Sequence, residues 1–506
     1  MNLWATKSIA TLRAEADAAG EHQLKRALGP LNLITLGIGA IIGAGIFVLT
    51  GQAAALYAGN GVWISMTIVG IACAFAGLCY AEMASAVPVA GSAYTYSYAT
   101  MGELVAWIIG WDLVLEYAAG AATVGVGWSG HFVSLLSNFG ITLPAQLAGS
   151  PTQWCTQANV TAGVAGCLKA GLVFTGAWIN LPAVFIVVLM STVLVIGIKE
   201  SATVNTWIVL LKLLIIFLIV IIGLGHITPA NYHPLIAPNT GDWGTYGWSG
   251  VLRGAGLVFF AYIGFDAVST AAQESKNPQK DMPVGILGSL FICTLLYVAV
   301  SSILVGMVPF KELNVAAPVA YAMDKVGAPT WVRIAIDIGA VLGLGSVILV
   351  MLLGQSRVFY SMSRDGLLGK WASAVHPKYR TPYLSTIFTG VAVTLATGLL
   401  PLQLLGQLVN IGTLLAFVLV CAGVLILRKK RPDLDRPFRT PWVPVVPILG
   451  VVCCLGLMAT LPSDTWIRLI VWLLIGFTIY FGYSRHHSHL QREIGSGAAG
   501  VGQQRR

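Results

Sequence analysis

The sequence predicts an all-α integral membrane protein with twelve transmembrane helices, the first and sixth of them discontinuous. Three observations carry that expectation. Hydrophobic residues make up 57% of the chain and charged residues 10%, where a soluble domain carries about 25% charged residues. Apolar runs of the roughly 20 residues needed to cross a bilayer recur along the whole chain, and mean hydropathy is +0.80. Two of those runs are interrupted by glycines at mid-span, in Ile41-Ile42-Gly43-Ala44-Gly45-Ile46-Phe47 and in Phe259-Phe260-Ala261-Tyr262-Ile263-Gly264-Phe265-Asp266.

The runs fall near 31–55, 62–87, 101–135, 173–197, 203–225, 249–272, 284–308, 332–361, 384–402, 405–427, 443–461 and 465–484. The third is long enough to be tilted or to extend past the membrane. Placing the N-terminus in the cytoplasm leaves only Lys169, Arg253, Lys311, Lys325, Arg333 and Arg468 of the 29 Lys and Arg residues outside, with Lys212 within a span. Basic residues gather on the cytoplasmic side of membrane proteins, so both termini are expected in the cytoplasm of a multi-pass protein of the cell (inner) membrane. The net charge of +9 is spread over short clusters between apolar runs. It reads as membrane orientation and not as a nucleic-acid surface. The stretch before Leu31 is polar and mixed in charge, and the run after it is too long for a signal core, so no cleavable signal is expected.

Six of the eight cysteines, Cys73, Cys79, Cys293, Cys421, Cys453 and Cys454, lie in spans, where cysteine acts as a small buried hydrophobe. Cys155 and Cys167 share an external loop and could pair. Asn159-Val160-Thr161 in that loop matches a glycosylation acceptor, a pattern common by chance. The eight His residues form no ligand cluster, and no metal or cofactor is expected.

An unsatisfied backbone group in hydrocarbon costs several kcal/mol, so a broken span is tolerated only where its freed groups face protein, water or a ligand. Breaks at matching positions of two halves mark a midplane site in an inverted-repeat transporter. Here they stand five spans apart. That spacing predicts a first repeat over 31–225 and a second over 249–427. Two further spans over 443–484, a cytoplasmic segment 1–30 and a cytoplasmic tail 485–506 complete the chain. Backbone amides of Gly43, Ala44 and Gly45 at the start of a half-helix could hold a carboxylate. Carbonyls near Ile41, Phe260 and Ile263 could hold an ammonium group. A zwitterion matches both poles. Glycines that merely let helices pack closely are the competing reading, and the partnered break weighs against it.

Ionisable residues inside spans are expensive and usually functional. Lys212 sits in Val209-Leu210-Leu211-Lys212-Leu213-Leu214-Ile215, with about ten apolar residues after it, too deep for a snorkelling lysine. An amine there can take up and release a proton as conformation changes. Asp112 and Glu116 share one helix face, and Glu116 could approach the substrate or the proton route or be a satisfied structural acid. Asp266 follows the second break and could cap a half-helix or sense substrate charge. Glu82 and Asp337 read as structural.

In these segments the chain resembles the amino acid–polyamine–organocation superfamily, nearest to its cationic amino acid transporter branch and that branch's bacterial relatives. Gly37 to Phe47, Phe259 to Asp281 with Glu274-Ser275-Lys276-Asn277-Pro278, and Gly354-Gln355-Ser356-Arg357 to Ser363-Arg364-Asp365-Gly366 carry the resemblance. It implies the LeuT-like five-plus-five inverted repeat with alternating access. It also implies a proton-coupling role for Lys212 where sodium-coupled relatives place an ion, and a position for Glu116 near substrate and lysine. Phe260 would close over the substrate, and Leu344 on span eight would line the side-chain pocket. Ala44 stands where the family often has Ser or Thr, so one hydroxyl contact to the carboxylate is missing. The two further spans of mammalian members are absent, and a cationic substrate does not follow from the branch. The expected partners are therefore an amino acid, protons and the lipid bilayer, with no nucleic acid; a small accessory subunit is not readable. The expected function is proton-coupled amino acid import, the alternatives being an amino acid exchanger and, on a distant footing, a sensor built on a transporter scaffold. No nucleophile–base pair or metal-ligand set suggests an enzyme.

Overall fold

The computed structural model describes residues 2–9, 11–12, 28–87, 89, 92–155, 169, 171–197 and 202–494. Among these, eight helices are long and apolar enough to cross a membrane. Four shorter apolar helices, Pro30–Ile41, Leu181–Ile196, Tyr383–Leu399 and Val445–Thr460, accompany them.

The first of these short helices, α1 (Pro30–Ile41), starts with proline in its first turn, where the missing N–H costs nothing. After the break, continuous winding over Gly45–Leu49, Thr50–Ala53 and Ala54–Ala58 forms a second half-helix. Gly59, at φ +60°, turns the chain into α2 (Val62–Ala86). A short α3 (Ser92–Thr100) leads into α4 (Glu103–Asn138), the long third run. The otherwise helical chain carries a short strand pair next. Part of the run at 173–197 is strand β2 (Gly171–Phe174), paired antiparallel with β1 (Thr152–Cys155) in the register Thr152↔Phe174. The exposure of β2 alternates residue by residue, as a strand on a surface requires. Helix α5 (Leu181–Ile196) begins only at Asn180, whose side chain accepts the Ala183 N–H at 3.3 Å. Cys167 and the Asn159–Thr161 acceptor lie outside the described residues.

The chain continues through α6 (Ala202–Leu224), α7 (Gly247–Val258), α8 (Pro278–Met307), α9 (Pro318–Lys325) and α10 (Thr330–Arg364). It ends with α11 (Tyr383–Leu399), α12 (Leu402–Lys430), α13 (Val445–Thr460) and α14 (Ser463–Ile479). Packing sorts most of these into two groups. In one, α8 runs along α2 and α1, with α7 against α2; in the other, α10 runs along α4, and α11 along α5 and α4. Lipid-exposed side chains such as Phe217, Phe291 and Phe388 face outward, and the polar groups turn inward.

The two termini meet at one end of the bundle. Asn2 and Gln491 exchange two hydrogen bonds, Lys7 pairs with Asp365 at 2.8 Å, and buried Glu103 accepts from Tyr98, Tyr480 and Ser488. At the same end, buried Glu82 accepts from Arg428 at 2.6 and 2.9 Å and from the Thr440 N–H at 2.8 Å, which ties α2 to the segment after α12.

Candidate functional site

α1 stops because Ile42 leaves helical geometry (φ −72°, ψ 98°). Winding resumes at Gly45, with the Phe47 N–H 3.5 Å from the Gly43 carbonyl. The second break follows α7. The backbone tightens to a 3-10 turn over Phe259–Tyr262, Ile263 is extended, and Gly264 takes φ +119°, a region open to glycine at no steric cost. A 3-10 stretch, Asp266–Glu274, follows.

The breaks cross in direct backbone contact. A Cβ on Gly45 would fall 2.3 Å from Ala261 Cα, and one on Gly264 would fall 2.8 Å from the Ala40 carbonyl carbon. Glycine is required at both places so that the two backbones can meet.

Side chains from other helices satisfy the freed carbonyls. Lys212 on α6, 1% exposed, donates from Nζ to the carbonyls of Gly39 at 2.9 Å and Ile42 at 3.0 Å. The Tyr297 hydroxyl on α8 donates to the Ile41 carbonyl at 2.8 Å. At the other break, Asn410 Nδ2 on α12 donates to the carbonyls of Gly256 and Leu257 at 2.8 and 2.9 Å. Lys212 lies against Gly343 of α10, where a Cβ would stand 2.9 Å from its Cε. The Lys212 amine thus meets the carbonyl end of α1, while the first-turn N–H groups at Gly45 have no acceptor in their own half-helix. Chemically, this is a place for an anion beside a place for a cation.

The remaining predicted residues gather near this crossing. Phe260, Ile263 and Leu344 are buried, and the side chain nearest to Gly43 is Val347, 3.4 Å from where a Cβ would stand. Glu116 and Asp266 lie close enough to interact, with Tyr80 and Tyr117 beside them and Thr413 against Glu116. Glu116 Oε1 and Asp266 Oδ2 have no hydrogen-bond partner among the described residues, while Asp266 Oδ1 accepts the Gly264 N–H at 3.2 Å. Lys212 and Glu116 form no ion pair there: the lysine is engaged with backbone carbonyls, and the acid lies near Asp266 and Thr413. Sequence reasoning missed Tyr297, Val347 and Asn410. A hydroxyl or amide within an apolar run is the only signal that Tyr297 and Asn410 offer, many such residues merely bond to their own helix, and Val347 offers none.

A cavity of about 670 Å³ leads toward the crossing from the end that carries the termini. Leu36, Ala40, Ala267, Ala271, Leu349 and Tyr117 line its depth; Lys378, Arg380 and the Glu274–Arg357 pair (3.4 Å) stand at its mouth. At the opposite end the half-helix after Gly45 is covered. Tyr246 donates to the Ala55 carbonyl at 2.7 Å, and Pro318 and Leu313 pack against Gly51.

Two broken helices crossing inside a membrane bundle, with a cavity leading toward them from one end, define a membrane transporter. Residues 28–480 match the amino acid permease family, and the chain belongs to that family within the amino acid–polyamine–organocation superfamily. It is a transporter and not an enzyme. It is 50% identical over 487 residues to the branched-chain amino acid permease BcaP of Bacillus subtilis, covering 96% of this chain and 98% of that protein. It is 44% identical over 491 residues to the methylthioribose transporter of Bacillus subtilis, covering 97% of this chain and 100% of that protein. Cationic amino acid transporter 4 of Homo sapiens is 28% identical over 601 residues, covering 96% of this chain and 91% of that protein.

Proposed function

We propose that this chain imports an apolar, branched-chain amino acid together with a proton, by alternating access across the cell membrane. The observation that carries the reading is Lys212, whose ammonium bridges the Gly39 and Ile42 carbonyls at the break in α1. When it carries its proton, it holds the carbonyl end of α1 in place. When it gives the proton up, the two bonds lose their charge assistance and weaken, and the inner half of the broken helix is loosened. The substrate carboxylate sits on the amides of Gly43, Ala44 and Gly45. Its ammonium group meets the carbonyls near Ile41, Phe260 and Ile263, and Phe260 covers it. Its side chain lies toward Leu344 and Val347, while Glu116 and Asp266 bound the polar side of the site.

The fold is read as twelve spans in a five-plus-five inverted repeat, with both termini cytoplasmic. Supporting this, spans five apart in order are neighbours: α2 with α8, α4 with α10, α5 with α11, and the two broken helices with each other. The cavity then opens to the cytoplasm, and its apolar depth suits release of an aliphatic side chain. Branched-chain substrates are named for the relative at 50% identity.

The test is uptake of leucine by the purified protein in proteoliposomes. An inward proton gradient should drive accumulation and sodium should make no difference; strict sodium dependence would remove the role given to Lys212. Counterflow without net uptake would establish the exchanger instead. The relative named for methylthioribose gives a second substrate reading, decided by a thermal-shift screen that includes that sugar beside the common amino acids.

A further inference from the structure

The described residues hold a buried histidine that the proposed cycle does not use. His131 on α4 and Asp337 on α10 are both fully buried, with Nδ1 and Oδ1 2.9 Å apart. Asp337 Oδ2 also accepts from Ser134 Oγ at 2.7 Å and Asn138 Nδ2 at 3.2 Å. A carboxylate with three donors is well satisfied, so His131 Nδ1 is the donor in that pair. Its other nitrogen, Nε2, has no partner among the described residues. The imidazole ring itself packs near-perpendicular to that of Phe47 on the half-helix, ring centroids 5.8 Å apart. The same face of α4 receives Val48 and Ala44 at Gly127, and the Ala316 carbonyl at Gly130. His131 thus lies where the long helices α4 and α10 meet both segments that cover the outer end of the site.

We propose that His131, held by Asp337, is the proton-responsive contact of the outer gate. With the half-helix packed down, a proton on Nε2 has no acceptor among the described residues. An N–H needs an acceptor, and burial without one is costly. If the half-helix swings away, external water reaches Nε2, and a protonated imidazole then has water on one side and the Asp337 carboxylate on the other. A ligand that favours one of two states shifts the equilibrium toward it, so external acid favours the outward-open gate. The other charged groups of the surrounding elements are engaged elsewhere, Lys212 with the Gly39 and Ile42 carbonyls at the inner side of the break. Asp337 is in the pair itself, and Arg333 one turn earlier is paired with Asp324. Lys311 lies in the turn that leads to Ala316. Glu312 beside it bonds to Lys325 at 3.1 Å, and that bond, with Tyr321, holds its carboxyl below the usual range.

The inference rests on the proposed orientation, and the experiment separates the two. Exchange of radiolabelled leucine is measured in proteoliposomes at equal pH on both sides, across the range in which histidine titrates, about pH 5 to 8. His131→Asn keeps a donor to Asp337 and removes Nε2. The wild type should exchange at least about twofold faster at the acid end than at the basic end. His131→Asn should flatten that step while keeping the thermal midpoint and the leucine affinity. Asp337→Asn, which removes the carboxylate charge beside the imidazole, should move the step. A wild-type profile in His131→Asn overturns the proposal. If His131→Asn does not fold, an unmoved step in Asp337→Asn overturns it. A wild type that exchanges no leucine at any pH overturns the functional reading instead.

Discussion

Replacing Lys212 by methionine keeps the length and volume of the side chain and removes only the ammonium group. In the structure that group makes two hydrogen bonds, at 2.9 and 3.0 Å, to carbonyls that the helix cannot satisfy itself. Bonds to a charged donor contribute about 1.5–3 kcal/mol each, so the broken conformation loses about 3–6 kcal/mol relative to others. At 1.4 kcal/mol per factor of ten, the balance between conformations moves by at least about a hundredfold. The same change deletes the group proposed to carry the proton. Gradient-driven accumulation should therefore fall to background, while any remaining exchange should become insensitive to the gradient. The assay is leucine uptake in proteoliposomes with and without an inward proton gradient, beside counterflow. The thermal midpoint is a control for folding. Wild-type accumulation in Lys212→Met would refute both the coupling role and the argument that these two bonds hold the break.

Other positions give independent checks. Gly264→Ala places a Cβ 2.8 Å from the Ala40 carbonyl carbon at φ +119°, so it should abolish leucine binding in a thermal-shift assay. Tyr297→Phe removes the donor to the Ile41 carbonyl, an unmade bond that costs about 1–3 kcal/mol; leucine affinity by titration calorimetry should weaken, with α8 otherwise unchanged. Glu82→Ala leaves Arg428 and Arg436 without their buried acid, and breaking such a pair costs about 3–5 kcal/mol. The thermal midpoint should drop clearly in detergent, with the leucine dissociation constant unchanged for the folded fraction.

The membrane class, the positions of most helices and the two breaks were legible in the sequence, because each depends on local chemistry. An apolar run declares its span, and a glycine pair inside it declares where a helix can fail. Span four shows the limit. Its run extends over residues that pair as β2, since apolarity alone does not separate a strand on the surface from the first turns of a helix. Asn180 and Pro182 mark the true start. The first span forms two half-helices around Ile42–Ala44, where its glycine pair predicts the break.

The sequence by itself determined that Lys212 would be buried in an apolar run and that backbone groups near Gly43 and Gly264 would need partners. It could not say which groups would meet. Only the tertiary structure decided that Lys212 turns to the Gly39 and Ile42 carbonyls and not to Glu116, that Tyr297 and Asn410 supply the other donors, and that His131 and Asp337 face one another. The physical reason is that burial of a polar group follows from its own neighbours along the chain. Its satisfaction depends on side chains tens to hundreds of residues away, brought within hydrogen-bonding distance by packing between helices.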